Sequence, residues 1–250
     1  MDSSGFFSFK IQLKRLSLQK KMIKMATYPT DFSKWKMDMI RRAFGLNKTA
    51  QLKSLSEWMT YNPPALSSGE LSSLQLALDQ FGDRARHVSE SDIKMKLLGP
   101  AIIASRFDNT EFSTFGEEYI RTELLSVDGS KLKVSGRPDL VVAIGELKAS
   151  LPYFCLQEYK RQSGSNSDPQ GQVLIEMLAA RQVNMNEGNE LKAIYGAFTL
   201  GRELNFLTLE GNEYALSKTY LLDVQQDLID VTLRVRALKY IIADLIGVTV

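Results

Sequence analysis

The chain has 250 residues, 44% of them hydrophobic and 24% charged, with a formal net charge of +2. These values exclude a wholly disordered, collagen-like, coiled-coil or solenoid protein and leave room for a sizeable core. One cysteine, Cys155, and one histidine, His87, exclude an intrachain disulfide, every cysteine/histidine zinc site and nucleases built on several histidines; any metal must be a hard ion held by carboxylates, Mg²⁺ or Mn²⁺ first.

The charge is uneven along the chain: residues 1–50 hold 11 Lys/Arg against 3 Asp/Glu, and residues 51–250 hold 20 against 26. Residues 1–30 read as a basic leader in which Ile11, Leu13, Leu16, Leu18, Met22 and Ile23 interleave with Lys10, Lys14, Arg15, Lys20, Lys21 and Lys24. Such a segment is either a solvated tail or a helix presented to phosphates or to an anionic membrane surface. It lacks the continuous apolar run of a signal peptide, and no stretch of the chain approaches the ~18–20 apolar residues of a membrane helix. The expected compartment is the cytoplasm, with no membrane partner.

Residues 31–88 read as a helical N-terminal region. Trp35, Met39, Ile40 and Phe44 fall at helical spacing, Asn62-Pro63-Pro64 breaks the pattern, and Ser67-Ser68-Gly69-Glu70 caps the next helix. Residues 89–250 read as one mixed α/β unit. Ser89-Glu90-Ser91-Asp92 starts a helix through Ile93, Leu97 and Leu98 that Pro100 should bend or interrupt. Strand-like runs at 119–127, 131–144 and 153–160 predict an antiparallel meander. Asp168-Pro169 supplies a capping side chain and a proline suited to the first helical position, opening a helix to residue 180. Strands at 193–200 and 205–209 follow, with a further pairing over 214–220. In the final helix Val224, Leu228, Val231, Val235, Leu238, Ile242 and Leu245 step by four and three, a stripe for packing on the sheet or for a homodimer with a second copy.

Chemistry concentrates in the middle of the chain. Pro138 cannot donate to a ladder, so Asp139 is expected at a strand end or bulge. Strand periodicity puts Glu158 and Lys160 on one face, with Tyr159 turned away. Two carboxylates converging from adjacent strands hold Mg²⁺ together with waters and a substrate phosphate oxygen. Glu-x-Lys recurs at Glu146/Lys148 and Glu190/Lys192, so spacing alone is unspecific; only Glu158/Lys160 follows an apolar strand and precedes a capped helix. His87 lacks a matching nucleophile, Cys155 reads as a small buried hydrophobe, and Arg161, Gln162, Lys192 and Arg202 read as a phosphate groove or as scattered surface cations.

Pro138-Asp139, then Glu158-Tyr159-Lys160, then Gln172 on the next helix resemble the PD-(D/E)XK nuclease superfamily, over roughly residues 89–200, and the helical glutamine is similar to its RecB-like and lambda-exonuclease-like branch. The resemblance implies a restriction-endonuclease-like mixed sheet flanked by helices and metal-dependent hydrolysis of phosphodiester bonds in nucleic acid, DNA first. It implies Asp139 and Glu158 as Mg²⁺ or Mn²⁺ ligands, Lys160 as the catalytic lysine, Gln172 as a supporting residue and Glu90 as a further acid from the preceding helix. Glu90 reads equally as a first-turn acid complementing the helix dipole. Glu176 departs from the pattern, because an aromatic residue often follows the glutamine by four. Two other readings stand beside this one: an inactive nuclease-fold protein that binds nucleic acid or protein, and an unrelated α/β interaction module, which would leave Asp139 far from Glu158.

Overall fold

The structure is a computed structural model that describes residues 28–85, 89–145, 147–160 and 168–250. Most of the basic leader, His87, Glu146, Arg161 and Gln162 lie outside the described residues.

The front of the chain is helical with one exception. Trp35 follows a short 3₁₀ turn, Phe32–Lys34, and is fully buried there; helix α1, Met37–Phe44, begins only after it. The two-residue strand β1, Asn47–Lys48, was not expected. Helix α2 spans Lys53–Thr60 and α3 spans Ser68–Phe81, which opens on the predicted capping box of Ser67 and Glu70. A second box, Ser89 with Asp92, opens α4, Glu90–Ile93. The chain then passes through a π-helical turn, Lys94–Leu98, into α5, Gly99–Ser105. Gly99 N–H donates to the carbonyl of Lys94, five residues back, so the interruption expected at Pro100 takes the form of one widened turn just before it.

The strands depart from the predicted meander. Residues 131–144 form two strands, β4 (Lys131–Gly136) and β5 (Leu140–Ile144), separated by Arg137-Pro138-Asp139 and belonging to different sheets. β4 pairs with β3, Ile120–Leu125, in a two-stranded sheet, and its Ser135 also bridges Asp31 in parallel. β5 lies antiparallel between β6, Ser150–Lys160, and β2, Phe112–Gly116, a strand the sequence reading missed. Local alternation identifies strands, but pairing is decided by which faces can be buried together.

After β6, helix α6 runs Pro169–Asn186, beyond its predicted end, with Asp168 as N-cap and Pro169 in its first turn. It carries the chain over to β7, Ile194–Leu200, which pairs parallel to β6; a parallel neighbour requires such a crossover. β8 (Glu203–Glu210), β9 (Glu213–Leu216) and β10 (Tyr220–Leu221) complete an eight-stranded mixed sheet of order β1-β9-β8-β7-β6-β5-β2, with β10 also on β8. Helix α7, Gln225–Ile246, closes the fold.

The sheet is covered on both faces, as a mixed α/β fold requires. Neighbouring residues divide between two cores: Val142 and Phe206 join α2, α3, α5 and α7 on one face, while Val141 and Leu207 join α1, α6 and the β3–β4 hairpin on the other. The terminal stripe packs into the first of these cores through Leu228, Val231, Val235, Leu238 and Ile242; Val224 and Leu245 remain exposed. Among the described residues, no helix is long and apolar enough to cross a membrane.

Candidate active site

β5 and β6 run antiparallel with Leu140 opposite Gln157. Extending that register by one residue puts Asp139, at the foot of β5, beside Glu158 near the end of β6. Pro138 ends the ladder here, and the Asp139 side chain takes over: its Oδ2 accepts the Tyr159 N–H at 2.8 Å. Its Oδ1 meets Lys94 Nζ at 2.7 Å. Lys94 also reaches Glu90 Oε1, four residues back on the helix, at 2.9 Å, and stands 5.2 Å from the centroid of the Tyr159 ring. Tyr159 is turned to the opposite core, as strand alternation requires.

Glu158 is 1% exposed, and its Oε1 is paired with Lys160 Nζ. Its Oε2 is buried without a hydrogen-bond partner among the described residues. Burial, and then the charge of Asp139, push the Glu158 carboxyl up to about 7 against the opposing pull of Lys160. Burial lowers the affinity of the Lys160 amine for its proton, but the Glu158 carboxylate outweighs it and the net shift is upward.

Helix α6 presents its first turns to this corner. Asp168 caps it by accepting the Gly171 N–H at 2.9 Å, and Gln172 and Glu176 follow one turn apart, both buried. Gln172 Nε2 donates to Glu176 Oε1 at 3.2 Å. Gln172 Oε1 and Glu176 Oε2 have no partner. Burial first, and then the nearby charge of Glu158, hold the Glu176 carboxyl well above the usual carboxylate range, which favours its protonated form.

Asp139, Glu158 and Lys160 are thus brought together directly, Glu90 is tied to Asp139 through Lys94, and Gln172 is linked to the group through Glu176. Lys94 and Glu176 are the site residues that the sequence reading missed. Each had a local signal, Lys94 four residues after Glu90 and Glu176 four after Gln172, but their meeting with Asp139 and Glu158 is long-range. The other cations lie elsewhere or are engaged: Arg202 is paired with Asp223 at 2.8 Å, and Lys192 lines a groove with Met185 and Gly211 beyond the far end of α6. Cys155 is buried, and burial raises its thiol to about 12, the state of an inert packing residue. A groove of about 780 Å³ between the β3–β4 hairpin and the end of α6 contains none of the site residues.

Asp139 and Glu158 suit a hard divalent cation, since two carboxylates suffice when waters and a phosphate oxygen complete the shell. The buried, partnerless Glu158 Oε2 is an oxygen that such an ion would satisfy. Glu90 is not gathered with them: among the described residues, no three His, Cys, Asp or Glu side chains converge closely enough to hold an ion together. No family model matches this chain, and no curated protein is significantly similar to it.

Proposed function

We propose that the chain is a metal-dependent nuclease with a restriction-endonuclease-like core, hydrolysing phosphodiester bonds in nucleic acid, DNA first. The observation that carries this reading is that Asp139 is held on the Tyr159 N–H beside Glu158, whose Oε1 takes Lys160 and whose Oε2 has no partner among the described residues. Asp139 and Glu158 would hold Mg²⁺ or Mn²⁺, which polarises a phosphate and lowers the pKa of a bound water. Lys160, 20% exposed, remains reachable from solvent, and its ammonium would offset charge developing on the phosphate and orient the attacking water. Tyr159 N–H fixes one Asp139 oxygen, so the carboxylate is aimed before substrate arrives. Burial favours the protonated form of Glu176, which would add no further negative charge next to Glu158.

A second reading, a nuclease-fold protein that binds nucleic acid or protein without cutting it, is favoured by one observation: Lys94 and Lys160 already engage Glu90, Asp139 and Glu158. The two readings separate in one assay. Labelled single- and double-stranded DNA is incubated with the full chain and Mg²⁺, Mn²⁺ or EDTA, alongside Asp139→Ala and Lys160→Ala. Metal-dependent cleavage that falls by at least about 100-fold in both variants is expected. Folded protein that binds DNA and cuts nothing with either metal would replace the nuclease with the binding module.

A further inference from the structure

Lys94 places an ammonium where a metal would otherwise meet the acids. It sits at the start of the π-helical turn, one turn after Glu90, so the two side chains share a helix face. Across the gap, β5 delivers Asp139, and Lys94 Nζ bridges the two carboxylates at 2.9 and 2.7 Å. Its charge also reaches Glu158. The three side chains are 28%, 31% and 19% exposed, so the pair of contacts is half-shielded from water, and Lys94 keeps an open path outward. Neighbouring Lys96 differs: its carboxylate partner is Asp92 on its own helix, and its ammonium lies over the Phe81 ring.

Asp139 Oδ2 already accepts the Tyr159 N–H, so Oδ1 is the oxygen with more capacity left for a divalent ion, and Oδ1 is the atom that Lys94 holds. Two cations cannot share that oxygen at contact distance without strong mutual repulsion in a half-buried site. We propose that Lys94 is a resident counter-cation that competes with the divalent ion for Asp139 and Glu90, so that metal binding requires Lys94 to swing out toward solvent. This rests on the metal-dependent reading of the site and adds a threshold to it. At low divalent-ion concentration Lys94 keeps the acids neutralised and the site closed; above the threshold its release frees Glu90 to approach Asp139.

The test is Mn²⁺ binding to the full chain, read from the free-ion signal in electron paramagnetic resonance and therefore independent of cleavage. Lys94→Met should bind Mn²⁺ about tenfold more tightly than the unmodified protein. Lys94→Arg, which restores the charge, should return the affinity to the original value or weaken it. Lys96→Met should leave it unchanged, and Asp139→Asn should abolish uptake in either background. A merely structural role for Lys94 predicts the opposite, since loosening the acids would weaken the site. If the unmodified protein takes up Mn²⁺ through Asp139 while Lys94→Met binds no more tightly, the competition is wrong and the metal site stands. If neither protein takes up Mn²⁺ although both retain native circular dichroism, the metal reading falls and the competition with it.

Discussion

Arg236 and Glu158 are both buried charged side chains, near opposite ends of the α4–α5 helical run, and their surroundings are finished differently. The Arg236 guanidinium is saturated: Nε donates to Ser105 O, Nη1 to Pro64 O and Ala65 O, and Nη2 to Ala104 O, while Glu70 Oε2 lies 3.0 Å from Nη2. It ties α7 to the end of α5 and to the loop before α3. At Glu158 the balance is reversed: three buried oxygens, Glu158 Oε2, Glu176 Oε2 and Gln172 Oε1, have no hydrogen-bond partner among the described residues. Saturation is what a charge needs when its task is to hold loops together; the unpaired Glu158 Oε2 beside Asp139 is an oxygen that a bound ion or water would satisfy.

The largest effect should come from the saturated cluster. Arg236→Met removes the guanidinium donors from four carbonyls and leaves Glu70 with only Arg106 and the Ser67 N–H, and should cost about 3–5 kcal/mol in urea denaturation, with Mn²⁺ binding per folded molecule unchanged. A loss below about 1 kcal/mol would erase the contrast. Next comes Gly171→Ala, at the start of α6. A Cβ there would lie 2.9 Å from the Lys36 and Met37 backbone, and backbone cannot swing aside as a side chain can. The cost should be about 1–3 kcal/mol, and the displaced helix should carry Gln172 and Glu176 with it, weakening the proposed site as well as the fold.

The smallest effect has the opposite sign. Glu176→Gln removes a buried acid and should stabilise the chain by about 1–2 kcal/mol at pH 8, or roughly 2–4 °C in Tm per kcal/mol for this size. Because folding raises the Glu176 pKa from its ordinary 4.5, the folded chain keeps a proton that the unfolded chain releases. The acid therefore does least harm below pH 4.5, and stability is progressively lost as pH climbs from there toward the raised folded value. The Tm difference between Glu176→Gln and the unmodified protein should widen from pH 5 to pH 8; a gap constant with pH would mean that Glu176 is not held neutral.

What was legible in the sequence was local chemistry. Asp168-Pro169 announces its helix because the cap and the proline act within one turn, and Ser67 with Glu70 does the same. The Glu158/Lys160 face follows from strand alternation alone. The sheet order was not legible, since nothing within residues 131–144 states that the first half pairs with β3 and the second with β6. Nor could periodicity foresee that Glu176, an acid on a helix, would face the interior at 0% exposure: its apolar neighbours Val173 and Met177 gave the helix a buried face, and tertiary packing chose which polar residues shared it.

Asp168 has a wider reach than its role as a cap suggests. One carboxylate oxygen accepts the Gly171 N–H of α6, and the other accepts the Met37 N–H at the start of α1, at 2.8 Å. Two helices that are 131 residues apart along the chain at this point therefore hang from a single hinge pin. The exchange rate of one amide proton, on Met37, becomes a remote gauge of whether the first turn of α6, and with it Gln172, is seated.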